Sequence, residues 1–370
     1  MTLKIGIFSC YYQFLALSED TDHMIKIYRN KYQFDAKVIS TKCACHTIHE
    51  IRSPKSRCDW IRFPFLNQRK PFLFLAYILD LFRGILFYFK SMKYDIIHFQ
   101  QVSGAFSFVS LIPLLALPSS PKKLVLVHFL HPLQRKFPWL NEIYKHADLV
   151  GVHSQSTKDE LLRLSTLPEE EIKIIPLGVH IPELTDRTRD KLIFLGRPTP
   201  EKGFLTALKA LKILKEHGKP QFLHIFGAYT ENEREIALNY AKKLDVEDYL
   251  YWGGSLSETE LNHKLQEAIV LFVLHTYSHG GSSTLVHGMA NGAPIIATDV
   301  GGLKETLGKG GILIPPNNPE ALAAAIQKLI TNRDLRIRYS ERSRERAETI
   351  FSWETVIDYQ LQLLGALPNS

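Results

Sequence analysis

Residues His279–Glu305 read HGGSSTLVHGMANGAPIIATDVGGLKE and contain the local pattern that decides the fold. A Gly-Gly pair precedes a predicted helix over Ser283–Asn291, Gly292 and Pro294 end that helix, and a predicted strand follows over Pro294–Thr298. The backbone N–H groups at the start of such a helix are unpaired and carry partial positive charge. This helix start is therefore suited to a phosphate or a sugar hydroxyl.

Short apolar runs alternate with helical patterns along the chain, which predicts parallel sheets with crossover helices. The strands predicted in the first half are Lys4–Phe8, Asp35–Ile39, Asp95–Phe99, Leu124–His128, Leu149–His153 and Ile172–Ile175. Those predicted in the second half are Lys191–Leu195, Phe222–Phe226, Tyr249–Trp252, Ile269–Leu274, Pro294–Thr298 and Gly311–Ile314. The fold class is therefore α/β, with two doubly wound parallel sheets that bind ligands beyond the carboxyl ends of their strands.

Length and charge narrow the class of protein. The 370 residues suffice for two domains, and the polar stretch 182–190 is the predicted linker. A formal net charge of +7 favours anionic ligands or an anionic membrane face. No block of Lys and Arg is interleaved with aromatic residues, which argues against nucleic acid as a partner. The motif G-x-G-x-x-G is absent after the first strand, which argues against a dinucleotide dehydrogenase.

The N-terminal sequence and the cysteines favour the cytoplasm. Residues 3–8 read as a buried strand, so we expect no signal peptide. All four cysteines lie in the first sixth of the chain, and so few thiols fit a reducing compartment: Cys10, Cys43, Cys45 and Cys58. Their spacing, with His46 and His49 among them, matches no zinc-finger pattern, so we interpret them as thiols that bind no metal.

The most apolar stretch, Pro71–Phe89, has two interpretations. Asp80 and Arg83 at its centre argue against a membrane-spanning helix. Basic residues flank it on both sides: Arg69, Lys70, Lys90 and Lys93. It is either a core helix with a basic rim or a helix lying on a membrane face, which would make residues 69–93 a peripheral membrane contact.

Two cations follow one predicted strand. The strand Lys191–Leu195 ends at Gly196, and Arg197 and Lys202 come directly before the next predicted helix, Phe204–His217. A guanidinium can donate two parallel hydrogen bonds to phosphate oxygens, and an ammonium supplies a mobile point charge. These residues predict a diphosphate site, although a solvated charged turn also fits the same pattern.

The order and spacing of further motifs resemble the donor half of GT-B glycosyltransferases, in particular those of retaining family 4. The motifs that carry the resemblance are Gly196-Arg197…Glu201-Lys202-Gly203, Phe226-Gly227, Tyr251-Trp252-Gly253, the opening segment, Ile314-Pro315-Pro316 and Phe351-Ser352-Trp353-Glu354. The resemblance implies two Rossmann-like domains that face each other across a cleft. Residues 1–181 and a returning helix at 352–370 would form the acceptor-side domain, and residues 187–351 the nucleotide-sugar-binding domain.

The resemblance also implies roles for individual residues. Arg197 and Lys202 would stabilise the leaving diphosphate, so neither a metal nor another cofactor is needed. His128, at the end of a central strand, would face the sugar, with His131 as the second choice. The implied donor-binding residues are Gly196, Gly227, Tyr251, Trp252, His279, Gly280, Gly281, Ser282, Ser283, Thr284 and His287. The nucleobase would lie near Tyr251 and Trp252.

The implied reaction moves a hexose from a UDP- or GDP-linked sugar to a hydroxyl of a glycan or lipid-linked glycan, with retention of configuration. Polysaccharide or lipopolysaccharide biosynthesis is the implied setting. The implied location is the cytoplasm, with peripheral contact to the cytoplasmic face of the membrane as a further expectation.

The chain departs from the family at its signature of two glutamates, where it has His279 and His287. A neutral imidazole has one acceptor, so His287 can hold one ribose hydroxyl but cannot grip two as a carboxylate does. A protonated His279 would favour an anionic sugar or phosphate. Leu177 and His275 replace an Asn and a Pro of the family, and the early Gly-Gly loop is absent.

These departures leave a second interpretation open. The chain would then be a GT-B-like protein that no longer catalyses and that binds sugar or nucleotide, or partners an active transferase. A metal held by His275, His279 and His287 is not favoured, because no carboxylate or cysteine accompanies them in a ligand spacing.

Overall fold

The computed structural model describes residues 2–8, 15–42, 58–62, 73–101, 105–118, 121–128, 130, 132–277 and 280–367. The chain divides into two compact units, Met1–Pro176 with Trp353–Ser370 and Leu177–Ser352. The assignment of the first unit to the acceptor and of the second to the donor stays a prediction.

The first unit has a parallel sheet in the order β3-β2-β1-β4-β5-β6-β7. Its strands are β1 (Lys4–Phe8), β2 (Asp35–Lys42), β3 (Cys58–Arg62), β4 (Ile96–Gln101), β5 (Lys122–Val127), β6 (Leu149–Val152) and β7 (Ile172–Ile174). The six predicted strands are all present. The edge strand β3 was not predicted, because its five residues include Asp59 and Arg62 and so lack an apolar run.

The described helices of the first unit cover both faces of its sheet. They are α1 (Leu15–Asn30), α2 (Leu73–Ser91), α3 (Ala105–Ala116), α4 (Pro132–Lys136), α5 (Gln155–Arg163) and α13 (Trp353–Leu363). Helices α1 and α13 pack on the face that carries Ile5, Leu124 and Leu126. Helices α2, α3 and α5 pack on the opposite face, with the 3₁₀ segment Pro138–His146 beside them.

The second unit has a parallel sheet in the order β10-β9-β8-β11-β12-β13. Its strands are β8 (Lys191–Leu195), β9 (Leu223–Phe226), β10 (Leu250–Gly254), β11 (Ala268–Val273), β12 (Ile295–Thr298) and β13 (Gly311–Ile314). All six were predicted to within two residues at each end. The order reverses between β8 and β11, so this sheet has its topological switch point there, and ligands of doubly wound sheets bind at such points.

Helices cover both faces of this second sheet as well. They are α6 (Phe204–Glu216), α7 (Glu231–Lys243), α8 (Glu258–Gln266), α9 (Ser283–Ala290), α10 (Leu303–Leu307), α11 (Pro319–Thr331) and α12 (Arg333–Arg346). The leucines of α6 and α11 pack on one face, as the 3.6-residue period predicts, and α9 and α10 pack on the other. Side-chain caps at Thr230, Ser257 and Ser282 fix where three of these helices begin.

Helix α2 has a buried side and an exposed apolar side, and the contact with a membrane stays a prediction. Its Phe87 is fully buried in the core, whereas Phe82 is 55% exposed and Phe89 is 65% exposed. Within the described ranges, no helix has the length and apolar character needed to cross a bilayer.

Gly203 has a matched control in Gly218. Both have a positive φ, +71° and +67°, which costs an L-residue about 1 kcal/mol. A Cβ at Gly203 would lie 2.0 Å from the carbonyl oxygen of Leu274, but nothing lies within 4 Å of a Cβ at Gly218. We therefore expect Gly218→Ala to lower the unfolding free energy by about 1 kcal/mol and Gly203→Ala by roughly 3 kcal/mol. Urea unfolding of both variants measures the difference, and equal losses would contradict the close packing.

Candidate functional site

A glycine, which has no side chain, follows the carboxyl end of β8 and of β9. Gly196 and Gly227 follow the two strands with φ of +125° and +140°. A Cβ on Gly227 would lie only 3.0 Å from the Gly196 backbone, and Gly196 N donates to the Phe226 carbonyl over 2.8 Å. The strand ends therefore approach each other closely and leave backbone accessible where a ligand of this sheet is expected.

Lys202 lies in the turn after β8, one residue before Gly203, whose left-handed backbone begins α6. Its ammonium donates to His275 Nε2 over 3.2 Å, so that ring nitrogen is the acceptor. Among the described residues, Lys202 forms no ion pair with a carboxylate. Burial and the nearby charge of Arg197 lower the pKa of Lys202. An anion at this position would relieve both effects.

His275 connects three strand ends at the switch point. The residue follows β11 and is 3% exposed. Its carbonyl accepts a hydrogen bond of 2.7 Å from Thr298 Oγ1 at the end of β12, and Thr276 N donates to the Glu201 carbonyl over 3.0 Å. The sequence analysis identified His275 as a replacement for a family Pro and as a metal ligand that is not favoured. Its bond to Lys202 could not be predicted because the two residues are distant in the chain.

Arg197 is held in a fixed orientation. Its Nε donates to Glu233 Oε1 over 2.6 Å, and its Nη2 contacts the same oxygen, while the side chain as a whole remains 65% exposed. Glu233 also caps α7, where its Oε2 accepts from Thr230 N over 2.9 Å. The hydrogen bonds from Arg197 lower the pKa of Glu233. The Thr230-x-x-Glu233 pattern predicts a capping box, but nothing in it predicts the pairing with Arg197.

The start of α9 lies beside the end of β8. Ser282 is the N-cap, and its Oγ accepts from Leu285 N over 3.3 Å. Thr284 Oγ1 donates to the Leu195 carbonyl over 3.5 Å, so the structure brings this helix start next to Gly196. Gly280 is buried, Gly281 is half-buried and Ser283 is exposed.

Of the two signature positions, His287 lies within the described residues. His287 is a half-buried residue of α9, and its ring nitrogens make no hydrogen bond with any residue that the structure describes. His279 lies outside the described residues. The position of His287 in α9 follows from the helix predicted over Ser283–Asn291.

Tyr251 and Trp252 are consecutive in β10, so their side chains point to opposite faces of the sheet. Trp252 packs against the core beside Phe204 and Tyr229, with ring centroids 6.1 and 5.5 Å away. Tyr251 is 53% exposed and its ring lies 5.1 Å from that of His224. The two rings of the predicted nucleobase site therefore lie on opposite faces of the sheet. The Tyr251 ring is the more accessible of the two.

In the first unit, His128 follows β5 directly. Its Nδ1 lies 3.1 Å from His153 Nε2, and its own Nε2 is buried without a hydrogen-bond partner in the described part of the chain. Burial, His153 and His98 lower the pKa of His128 well below its usual value. The second choice, His131, lies outside the described residues. The sequence showed neither His98 nor His153 as part of this group.

Two family models match consecutive parts of the chain. The model described as Glycosyltransferase Family 4 matches residues 44–183, and the model described as Glycosyl transferases group 1 matches residues 180–346. The chain belongs to the family 4, group 1 glycosyltransferases.

Curated relatives of this glycosyltransferase are about a quarter identical to it over the aligned part of the chain. An uncharacterised glycosyltransferase of Methanocaldococcus jannaschii is 28% identical over 244 residues, 61% of this chain and 60% of the relative. An MMP alpha-(1->4)-mannosyltransferase of Mycolicibacterium hassiacum is 28% identical over 238 residues, 61% of this chain and 56% of the relative. The aligned part of the chain thus spans less than two thirds of the length of either relative.

The fold of this glycosyltransferase is shared with solved structures over nearly the whole chain. The Anabaena HepE protein, solved in complex with UDP-glucose, superimposes with a TM-score of 0.77 at 16% identity, covering 99% of this chain and 100% of that protein. The predicted GT-B fold class is confirmed.

The buried histidines of the first unit predict an acid-sensitive stability. Burial first, and His153 second, lower the pKa of His98 from 6.5 to about 3. Between these values the unfolded chain binds a proton that the folded chain does not bind. The unfolding free energy therefore falls as the pH falls below 6.5, by about 1.4 kcal/mol per pH unit for this histidine.

We expect His98→Leu to reduce this slope by about that amount between pH 6 and pH 4. Urea unfolding at several pH values measures the slope. Amide hydrogen exchange in β4 and β5 measures the same change locally. The exposed His146, changed to Leu, is the control. An unchanged slope in His98→Leu would show that His98 is not buried in its neutral form.

Proposed function

We propose that this protein transfers a hexose from a UDP- or GDP-linked sugar to a hydroxyl group of a glycan or lipid-linked glycan, with retention of configuration. The observation that carries the proposal is the Lys202 ammonium, which belongs to a half-buried side chain near the charge of Arg197 and, among the described residues, is bonded only to a neutral acceptor on His275. A diphosphate supplies the negative charge that this pair of cations requires.

The cations would act on the leaving group. As the bond between the sugar and the phosphate oxygen breaks, negative charge grows on the diphosphate, and Arg197 and Lys202 would stabilise it electrostatically without a metal. Arg197 is already oriented by Glu233, so this stabilisation needs little reorganisation. The acceptor oxygen would bond to the same face of the sugar, and its proton would pass to the departing phosphate oxygen.

The histidines would hold hydroxyl groups. Unpartnered by the described residues, the ring of His287 can accept from one ribose hydroxyl, which supports a weaker nucleotide grip than that of a carboxylate. His128 Nε2 is a buried acceptor and fits a hydroxyl of the sugar or acceptor. The HepE structure holds UDP-glucose, which supports a donor of that class for this chain.

Removal of either cation tests the reaction. We expect Arg197→Ala and Lys202→Ala each to lower kcat/KM by about 10²- to 10³-fold, because each removes charge from the developing diphosphate. Turnover with a panel of UDP- and GDP-sugars provides the measurement. Lys209→Ala and Arg338→Ala change exposed cations of the same unit and should leave the rate unchanged. Undiminished turnover in the first two variants would refute the proposed role of the cation pair.

The loss of both signature glutamates keeps an inert GT-B-like protein as the second candidate. Calorimetry against nucleotide diphosphates, together with slow hydrolysis of a donor, separates the two. Tight binding of one nucleotide diphosphate with hydrolysis of its sugar supports the transferase. Binding of sugar or nucleotide without any turnover supports the inert protein.

We also propose that α2 contacts an anionic membrane, where a lipid-linked acceptor would be met. Phe82, Leu86 and Phe89 lie on successive turns of one helical stripe and are 55%, 43% and 65% exposed. Lys93 continues the stripe just beyond the helix. An exposed apolar stripe that ends in a cation fits the boundary between acyl chains and anionic headgroups.

Liposome co-sedimentation at low salt tests this contact. The double variant Phe82→Ser, Phe89→Ser should bind phosphatidylglycerol vesicles roughly ten-fold more weakly, because two aromatic rings no longer leave water. Phe222→Ser, at a residue that is 59% exposed in the second unit, should bind like the parent chain. If the parent chain itself does not pellet with these vesicles, the membrane proposal is wrong.

A further inference from the structure

Three histidines of the first unit lie on one face of its sheet. His98 is in β4, and His128 and His153 directly follow β5 and β6, three neighbouring strands. Side chains alternate between faces, and His98 shares the parity of Ile96, His128 that of Leu126, and His153 that of Leu149. Those three apolar residues belong to the core under α1 and α13, so all three imidazoles point to that side.

The hydrogen bonds of His153 leave only one arrangement of protons. Its Nδ1 lies 2.8 Å from the Ile175 carbonyl, which can only accept, so Nδ1 carries the proton. Burial lowers the pKa of His153, so the ring is neutral and its Nε2 is an acceptor. The partner of that Nε2 is His128 Nδ1 at 3.1 Å, which must therefore be the donor.

The same reasoning determines the state of His128. A neutral imidazole that donates through Nδ1 has a lone pair on Nε2. That Nε2 is the buried nitrogen without a partner among the described residues. The two rings meet edge to face, with centroids 4.4 Å apart, so the second ring also restricts rotation of the first.

Backbone structure holds the far end of this chain of hydrogen bonds. Ile175 is fully buried, and its N–H donates to the Val152 carbonyl of β6 over 2.7 Å. The hydrogen bond from Ile175 N to β6 fixes the orientation of the Ile175 carbonyl. That carbonyl orients His153, and His153 in turn orients His128. A buried acceptor with no protein donor is costly unless a ligand supplies one.

We propose that His153 is a positioning residue that holds His128 in the tautomer protonated at Nδ1, so that Nε2 accepts a hydrogen bond from a substrate hydroxyl. The hydroxyl would belong to the sugar or the acceptor, and this part rests on the proposed glycosyl transfer. The tautomer itself does not depend on the reaction.

Nitrogen NMR of the ¹⁵N-histidine-labelled protein tests the tautomer without any substrate. In the parent chain, His128 should show a protonated Nδ1 and an unprotonated Nε2, and His153 should show the same. In His153→Phe, which removes the acceptor, the His128 proton should move toward Nε2. A parent protein in which His128 carries its proton on Nε2 overturns the proposal, whether or not the protein is active.

Kinetics tests what the tautomer does. We expect His153→Phe to lower kcat/KM for the acceptor by roughly ten-fold, with nucleotide affinity unchanged by calorimetry. His153→Gln presents an amide N–H to Ile175 and an amide oxygen to His128, so it should recover most of that loss. His146→Gln, an exposed change in the same unit, is the control.

The outcomes separate the two levels of the proposal. Equal losses in His153→Phe and His153→Gln, with the parent tautomer retained in the Gln variant, would mean that His153 only supports packing and would overturn the positioning role. If the parent chain turns over no donor while NMR shows the expected tautomer, the proposed transfer fails and the hydrogen-bond arrangement stands. Should His153→Phe not fold, the parent spectrum and the Gln variant still decide.

Discussion

A half-buried ammonium group near the charge of a guanidinium is the constraint around which the strand ends of the second unit are arranged. Lys202 reaches that position because β8 ends in a turn that Gly203 closes against the Leu274 carbonyl. His275 then offers the ammonium an acceptor without offering it a negative charge. Because desolvation opposes a charged lysine and Arg197 opposes it further, the region is stabilised most by an anion.

Arg197 follows the same strand as Lys202, but its surroundings differ. It remains exposed and is held by Glu233, whose other oxygen is committed to the start of α7. The guanidinium thus has a defined direction in water, whereas the ammonium is partly desolvated and bonded to an imidazole nitrogen. The proposed diphosphate would therefore meet two different donors, a planar guanidinium and a compact ammonium.

The first unit uses neutral groups at its strand ends. His98 and His153 are buried, His128 is half-buried, and desolvation lowers the pKa of each ring. At neutral pH these rings are uncharged, and each has one hydrogen-bond donor and one acceptor in fixed directions. The two units therefore differ electrostatically: cations lie at the strand ends of the second, and neutral rings lie at those of the first.

The sequence by itself determined the elements and their class. Mainly apolar runs of four or five residues at the positions of β8, β12 and β13 could be predicted because parallel strands are buried on both faces. The edge strand β3 could not, because an edge strand needs no continuous apolar run. The placement of Arg197 and Lys202 at a strand end also followed from the sequence, since turn signals and strand signals are local. The partners were decided only by the tertiary structure. Glu233, His275 and His153 acquire their roles through contacts with residues far away in the chain, and burial, which sets the pKa of each group, exists only once the sheets are covered.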